Sequence, residues 1–230
     1  MYHLSMNGHG NKRFNEKEAV GYIKSEAKKR NCKIKIFTKD RDKDELFEYS
    51  DGEFSEENME IKCFKNGNDK NKYWLAVLAH EYHHLLQSEK PDKAWIEFVD
   101  NTSDYIYELE EIFDQSSKPR ISKNQRIKIA KSTIKLELDC EIKTLNFLKN
   151  VDANINIDYY IGCANIILYK YIFWAKTGRW VTLKKSDEDF EKLIEDLIKT
   201  NNLNVFKKLN TYLYMNIPKN ILTLFEKNKK

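Results

Sequence analysis

The sequence predicts an α+β fold that is mostly helical, with a small N-terminal sheet, one histidine-rich helix and a helical C-terminal half. Three observations predict it: alternating apolar residues before residue 65, a largely apolar run that begins at Trp74, and long segments with helical spacing after residue 91. No repeat or low-complexity linker interrupts the 230 residues, which favours a single domain over 1–230. Residues 1–90 would contain the first helix, the sheet and the histidine-rich helix, and residues 91–230 the helical half.

The N-terminal part begins with a predicted helix over residues 14–31. Asn15 and Glu18 have the spacing of a capping box, in which each side chain bonds the other residue's backbone N–H. In the next segment, 32–37, apolar residues alternate with lysines, which is typical of a half-buried strand. Two further strand candidates follow, at Leu46–Tyr49 and Met59–Phe64.

The C-terminal half is predicted to be helical throughout. Helical spacing and capping residues indicate helices over 92–115, 122–150, 158–176 and from 186 onwards. Ser122 and Gln125 form a second capping-box pattern, and Asp158 and Ser186 are the predicted N-caps of the later helices. Gly178 is expected to end the third of these helices.

Composition excludes several classes of protein. Forty basic residues against 36 acidic ones do not favour a nucleic-acid partner. The longest apolar run, 159–175, is interrupted by Asn165 and Lys170 and is shorter than the roughly 20 residues of a membrane span. The four cysteines form no C-x-x-C pair and no signal peptide is recognisable at the start, so we expect reduced thiols and a cytoplasmic location.

The histidine-rich segment, WLAVLAHEYHHLLQSEK, contains H-E-x-x-H at residues 80–84. On a helix, His80 and His84 lie one turn apart on the same face, so both imidazoles can bind one zinc ion. Glu81 lies about 100° around the helix, where it can act on a metal-bound water without becoming a ligand. The alternative is a buried core helix whose histidines bond carbonyls or carboxylates. His83 is interpreted as a packing residue.

A third ligand is expected from the helix over 122–150, and helical phase ranks three candidates there. Glu141 falls within the inward stripe formed by Ile134, Leu138, Leu145 and Leu148, where a carboxylate needs a cation or a metal. Glu137 lies one turn earlier on the flank of the same face, and Asp139 lies on the solvent side. We therefore rank Glu141 first, Glu137 second and Asp139 third. Either glutamate could be the ligand while the other orients a metal-bound histidine.

The segments HEYHHLLQ, ELDCEIKT and YKYIFWAKTGRW resemble zincin metallopeptidases, in particular the gluzincins, which combine H-E-x-x-H with a glutamate from a later helix. The same segments look similar to a group of uncharacterised phage and bacterial proteins described as metallopeptidases. A weaker similarity is to the ImmA/IrrE-type peptidases, whose Glu-Ala ligand pair is replaced here by Asp139-Cys140. The order of helix, small sheet, H-E-x-x-H helix and helical half is also that of a zincin.

The resemblance implies a zinc-dependent peptidase, a hydrolase located in the cytoplasm of the host cell if it is phage-encoded. Zinc would be bound by His80, His84 and a glutamate, and Glu81 would act as the general base on a peptide or protein substrate. It also implies a residue that stabilises the oxyanion, with Tyr160, Tyr169 and Arg179 as candidates. The residues themselves favour the alternative, in which these tyrosines are core residues with satisfied hydroxyls.

Two other functions remain open from the sequence. The protein could be a metal-dependent hydrolase of another kind, with the same ligands and a different cleft. It could also be a catalytically inactive, zinc-stabilised scaffold, such as a phage accessory binding protein. In that case Cys140 or His83 would close the fourth zinc position and Glu81 would have no chemical role.

Overall fold

The order of elements in the computed structural model confirms a mostly helical α+β fold. The structure describes residues 13–38, 52–65, 72–105, 107–109, 121–181, 183, 188–199 and 217–228. Its strands are β1 (Phe14–Asn15), β2 (Lys33–Phe37), β3 (Gly52–Ser55), β4 (Glu60–Phe64) and β5 (Val151–Asp152). Its helices are α1 (Glu16–Lys29), α2 (Tyr73–Glu89), α3 (Lys93–Thr102), α4 (Lys123–Leu148), α5 (Ile157–Thr177), α6 (Glu188–Lys199) and α7 (Lys219–Asn228).

The predicted start of the first helix is confirmed. Asn15 accepts a hydrogen bond from the backbone N–H of Glu18, and the Glu18 carboxylate accepts one from the N–H of Asn15. These two bonds satisfy N–H groups that the first turn of a helix leaves without a partner. Residues 14–15 also pair with Val151–Asp152 in a short parallel bridge that the sequence did not predict.

The small sheet has the order β2–β4–β3, with β2 parallel and β3 antiparallel to the central β4. Strands at 32–37 and 59–64 are confirmed as β2 and β4, whereas the candidate at Leu46–Tyr49 lies outside the described residues. β3 was not predicted, because its sequence, GEFS, is too short and polar to show a strand pattern.

Helix α2 packs between this sheet and α4, and its side chains are apolar on nearly every face. The residues before the H-E-x-x-H motif, Trp74 to Ala79, are all buried together with Tyr82 and Leu85. They contact Ile23 of α1 and Ile61 of β4 in one hydrophobic cluster. A helix that is apolar all round is a buried helix, as the sequence predicted.

The predicted helices over 122–150 and 158–176 are confirmed, with one correction at a helix start. The helix predicted over 92–115 is interrupted, since α3 ends at Thr102, a 3₁₀ turn follows at Ser103–Tyr105, and residues 110–115 lie outside the described residues. Ser122 and Gln125 form the predicted capping box of α4. The N-cap of α5 is Asn156, whose side chain accepts a hydrogen bond from the N–H of Tyr159, so the prediction of Asp158 is wrong. Asp158 lies in the first turn, where its negative charge interacts favourably with the positive end of the helix dipole. Gly178 ends α5 in the left-handed conformation at φ 74°.

Helices α5, α6 and α7 form a second hydrophobic cluster. The predicted apolar face of α6 is buried against α5 and consists of Phe190, Leu193, Ile194 and Leu197. The predicted cap of this helix, Ser186, lies outside the described residues. Among the helices that the structure describes, none is both long enough and apolar enough to cross a membrane.

Gly52 allows β3 to approach α2 closely. A Cβ atom at Gly52 would lie 2.4 Å from Cγ1 of Val77 and 3.1 Å from Oε1 of Glu81. Val77 is β-branched and cannot turn aside freely in a helix, so we expect Gly52→Ala to destabilise the protein by roughly 1–3 kcal/mol. Urea unfolding with circular dichroism measures the change.

The control is Gly21→Ala in α1, where a Cβ atom would meet nothing within 4 Å. Alanine loses less backbone entropy than glycine in a helix, so this variant should be about 0.5–1 kcal/mol more stable than the wild type. Equal effects of the two substitutions would show that β3 does not approach α2 as described.

Candidate metal centre

The candidate site lies where α2 and α4 pack against each other in opposite directions. Contacts between the two helices run from His80 with Glu141, through His84 with Glu137, to Gln87 with Leu136, so the residue numbers rise along α2 as they fall along α4. This arrangement places the motif face of α2 against the inward stripe of α4. The predicted convergence of His80 and His84 with the later glutamates is therefore found in the structure.

Three donor atoms come together at the centre of this face. The Nε2 atoms of His80 and His84 lie 3.0 Å apart, and Oε2 of Glu137 lies 3.3 Å from the first and 3.6 Å from the second. Zinc bonds of 2.0–2.2 Å in a tetrahedral site imply donor separations of about 3.3–3.6 Å. Both distances to Glu137 lie in this range and the two imidazole nitrogens are somewhat closer to each other, so the three atoms approach the spacing needed by a single tetrahedral metal ion.

A second donor set shares the same histidines. Sγ of Cys140 and one nitrogen each of His80 and His84 all lie within 4.8 Å of one another. The thiol is buried and donates a hydrogen bond to the carbonyl oxygen of His80 at 3.1 Å. Oε2 of Glu137 lies 3.3 and 3.6 Å from the two Nε2 atoms, near the tetrahedral separation, so we take Glu137 as the third donor and Cys140 as the alternative.

Glu141 is buried, with 5% of its surface exposed, as helical phase predicted. Its Oε1 lies 3.3 Å from Nδ1 of His80, close enough for an ion pair but without hydrogen-bond geometry, so this buried nitrogen has no hydrogen-bond partner among the described residues. Its Oε2 accepts a hydrogen bond from the Tyr160 hydroxyl. Glu141 thus lies beside Nδ1 of His80, whereas the other ring nitrogen, Nε2, is the one near His84 and Glu137. This geometry favours Glu137 as a ligand and Glu141 as the residue beside Nδ1 of His80, which reverses the order in which helical phase ranked the two glutamates.

Glu81 is also buried, with 8% of its surface exposed, and its side chain lies beside Gly52 of β3. Burial raises the pKa of Glu81, while the neighbouring His80 and His84 partly oppose the increase. A carboxylate with a raised pKa is a better base, because its proton affinity is closer to that of the groups it serves at neutral pH. The position and the pKa of Glu81 both suit a general base.

The charges of the cluster compensate one another. Burial opposes protonation of His84, but interactions with Cys140 and Glu137 outweigh it and raise the pKa of His84 well above its usual value. Burial likewise opposes ionisation of Glu137, yet His84 and His80 outweigh it and lower the pKa of the carboxyl group. The site therefore favours a positive charge beside the carboxylate, whether that charge is protons or a metal cation.

The other histidine of the motif is a packing residue, as predicted. His83 is 2% exposed, and its Nδ1 lies 2.7 Å from the carbonyl oxygen of Ala79 and 3.3 Å from the hydroxyl of Thr144. Burial lowers the pKa of His83 to about 4, so the ring is neutral at neutral pH. Its Nδ1 can therefore donate to Ala79.

Of the predicted oxyanion candidates, Tyr160 bonds Glu141, Tyr169 lies in the hydrophobic cluster of α5 with α6 and α7, and Arg179 is exposed. Sequence reasoning missed Tyr171, whose pKa is raised first by burial and then by the charge of Glu137. The charges of His80 and Glu81 also act on the pKa of Tyr171, so this hydroxyl lies in the electrostatic neighbourhood of the candidate site.

The helical spacing of the tyrosines could have identified Tyr171 as a residue on the same face as Tyr160. It follows Tyr160 by eleven residues, which is about 20° from the same face of a helix, whereas Tyr169 follows by nine and lies on the opposite face.

Comparisons with known proteins add nothing to this geometry. The sequence matches no protein-family model, and neither the curated proteins nor the solved structures gave a match.

The hydroxyl of Tyr160 is expected to stabilise the buried carboxylate of Glu141. Tyr160→Phe leaves one oxygen of Glu141 without this donor, and we expect the metal-free protein to lose about 1–3 kcal/mol of unfolding free energy. The measurement is urea unfolding in the presence of a chelator. Tyr159→Phe is the matched control, because its hydroxyl bonds Glu191, a partly exposed carboxylate that water can solvate. A loss for Tyr160→Phe no larger than for the control would contradict a stabilising role.

Proposed function

We propose that the protein is a zinc-dependent peptidase. The observation that carries the proposal is the convergence of His80, His84 and Glu137 at close to tetrahedral spacing, one residue from a buried glutamate of raised pKa. Two neutral imidazoles and one carboxylate are a common ligand set of catalytic zinc sites, which leave a fourth position open. The α+β order of elements agrees with the zincin resemblance, which itself remains part of the proposal.

Zinc bound by these residues would polarise the carbonyl group of a peptide bond and lower the pKa of a coordinated water. The residues of the chain then have distinct tasks. Glu81 accepts the proton that the water loses as its oxygen forms a bond to the carbonyl carbon. Glu81 then donates that proton to the leaving amine as the C–N bond breaks. Glu141 and Tyr160 hold the ring of His80 in place, and Tyr171 is the candidate donor to the oxyanion.

A peptide substrate is supported by the position of β3. Among the described strands, β3 is one of the two edge strands of the sheet. A Cβ atom on its first residue, Gly52, would lie 2.4 Å from Val77 and 3.1 Å from Oε1 of Glu81, so this end of β3 contacts the general-base candidate. An extended peptide that adds to a sheet edge bonds through its backbone and therefore suits many sequences. A peptide bound along β3 would run past Glu81.

The ligand set is tested by metal analysis of purified variants. We expect one zinc per chain in the wild type, loss of zinc in His84→Ala and Glu137→Ala, and retention in Glu141→Ala with a Kd raised about 10–100-fold. Mass spectrometry of the metal content and competition with a chelator measure these values. Glu97→Ala is the control, because Glu97 is a partly exposed carboxylate of α3 that pairs with Lys135. Zinc retained in Glu137→Ala and lost in Glu141→Ala would restore Glu141 as the ligand.

Catalysis is tested at Glu81. Glu81→Gln removes the base but none of the ligands, so we expect zinc to stay bound while hydrolysis of denatured casein falls about 10²–10⁴-fold. Glu89→Gln on the same helix is the matched control, because Glu89 pairs with Arg30 at the surface. A wild type without zinc, or hydrolysis unchanged by Glu81→Gln, would refute the peptidase proposal.

The buried thiol of Cys140 favours one alternative, a zinc-stabilised binding protein without catalysis. In that protein Cys140 would occupy the fourth position, since its Sγ lies within 4.8 Å of a nitrogen of both histidines. Cobalt substitution distinguishes the two functions. A thiolate ligand produces a sulfur-to-cobalt charge-transfer absorption that disappears in Cys140→Ser, and the peptidase proposal predicts no such absorption.

A further inference from the structure

Gln87 is a buried polar residue of α2 that neither the motif nor the proposed chemistry uses. It follows His84 by three residues, so its side chain lies on the same face of the helix as the candidate ligands. Only 2% of its surface is exposed. A buried amide is stable only if its oxygen and its nitrogen both find partners.

The partners of Gln87 fix the orientation of its amide. Nε2 donates hydrogen bonds to the carbonyl oxygen of Leu136 at 3.2 Å and to Oδ2 of Asp139 at 2.7 Å. A carbonyl oxygen and a carboxylate can only accept, so a reversed amide would place its oxygen against two other acceptors. Oε1 must therefore be the atom that lies 2.9 Å from Nδ1 of His84.

This orientation determines which nitrogen of His84 carries a proton. Oε1 of Gln87 can only accept, so the short contact requires a proton on Nδ1 of His84. In the neutral ring the lone pair then lies on Nε2, which is the nitrogen near His80 and Glu137. We infer that Gln87 is a positioning residue that keeps a proton on Nδ1 of His84 and turns Nε2 toward the metal. The inference rests on the proposed function only in taking a metal ion as the group that Nε2 of His84 binds.

The inference also gives Asp139 a role. Asp139, the third-ranked ligand candidate, holds the amide of Gln87 from α4 and is itself paired with Lys143. The two candidate histidines are thus oriented by different chemistry, since Nδ1 of His80 faces the carboxylate of Glu141 and Nδ1 of His84 faces a neutral amide. Helix α4 thus has two roles: it supplies Glu137, and through the amide of Gln87 it orients His84 of α2.

Nitrogen-15 NMR of the histidine rings tests the inference in the whole chain. We expect the wild type to show a proton on Nδ1 of His84, protected from exchange, in both the metal-free and the zinc-loaded protein. A His84 ring protonated only at Nε2 in either form overturns the inference, and this measurement needs no variant.

Substitutions separate orientation from packing. Gln87→Met keeps the volume but loses the acceptor, so the protection of the Nδ1 proton should disappear and the zinc Kd should rise about 10–100-fold with one site per chain retained. Gln87→Glu keeps an acceptor and should restore the protected proton, although it loses both donor bonds. Gln125→Met in the capping box of α4 is the control and should leave the ring spectrum and the zinc Kd unchanged.

The outcomes for Gln87 and for the proposed function are distinguishable. An unchanged zinc Kd and an unchanged His84 spectrum in Gln87→Met overturn the positioning role while leaving the zinc site intact. A protected Nδ1 proton in a wild-type protein that binds no zinc supports the positioning role and removes the peptidase proposal instead.

Discussion

The packing of α2 against α4 in opposite directions is the constraint on which the candidate site depends. Each donor lies on one of these two helices, and no single turn of either helix contains a complete set. Hydrogen bonds from Cys140 to the backbone of His80, and from Gln87 to the backbone of Leu136, fix the register between the helices. A slip of one residue would rotate each side chain by about 100° and separate the histidines from Glu137.

The same packing offsets the free-energy cost of burying the polar side chains of the site. Ionised carboxylates are costly to bury unless they meet positive charge or hydrogen-bond donors. Glu137 meets the two histidines, and Glu141 meets His80 and Tyr160. Apolar residues of α2 and the sheet pack beside this cluster, and only 13–19% of the side-chain surface of His80, His84 and Glu137 is exposed, so each of these interactions is stronger than it would be in water. Burial also gives Glu81 its raised pKa, so one arrangement supplies both the donors and the base.

The elements were predictable wherever local signals were strong. The capping boxes at Asn15 and Ser122 and the apolar face of α6 required only residues close in the chain, and all three are present. β3 was missed because its four residues form a strand only through pairing with β4. Asn156 was missed as the cap of α5 because Asp158 also suits an N-cap by residue type, and only the turn geometry distinguishes the two.

For the site, the sequence by itself determined that His80, Glu81 and His84 share a helix and that Glu137 and Glu141 point inward from another. Helical periodicity is enough for that, because it depends on neighbours within a few turns. Only the tertiary structure decided that Glu137 faces both Nε2 atoms while Glu141 faces Nδ1 of His80. Helical phase ranked Glu141 ahead of Glu137, but the two are only one turn apart on the same side of the helix, so the choice between them depends on the register of α4 against α2. That register is set by contacts between residues some 50 to 60 positions apart.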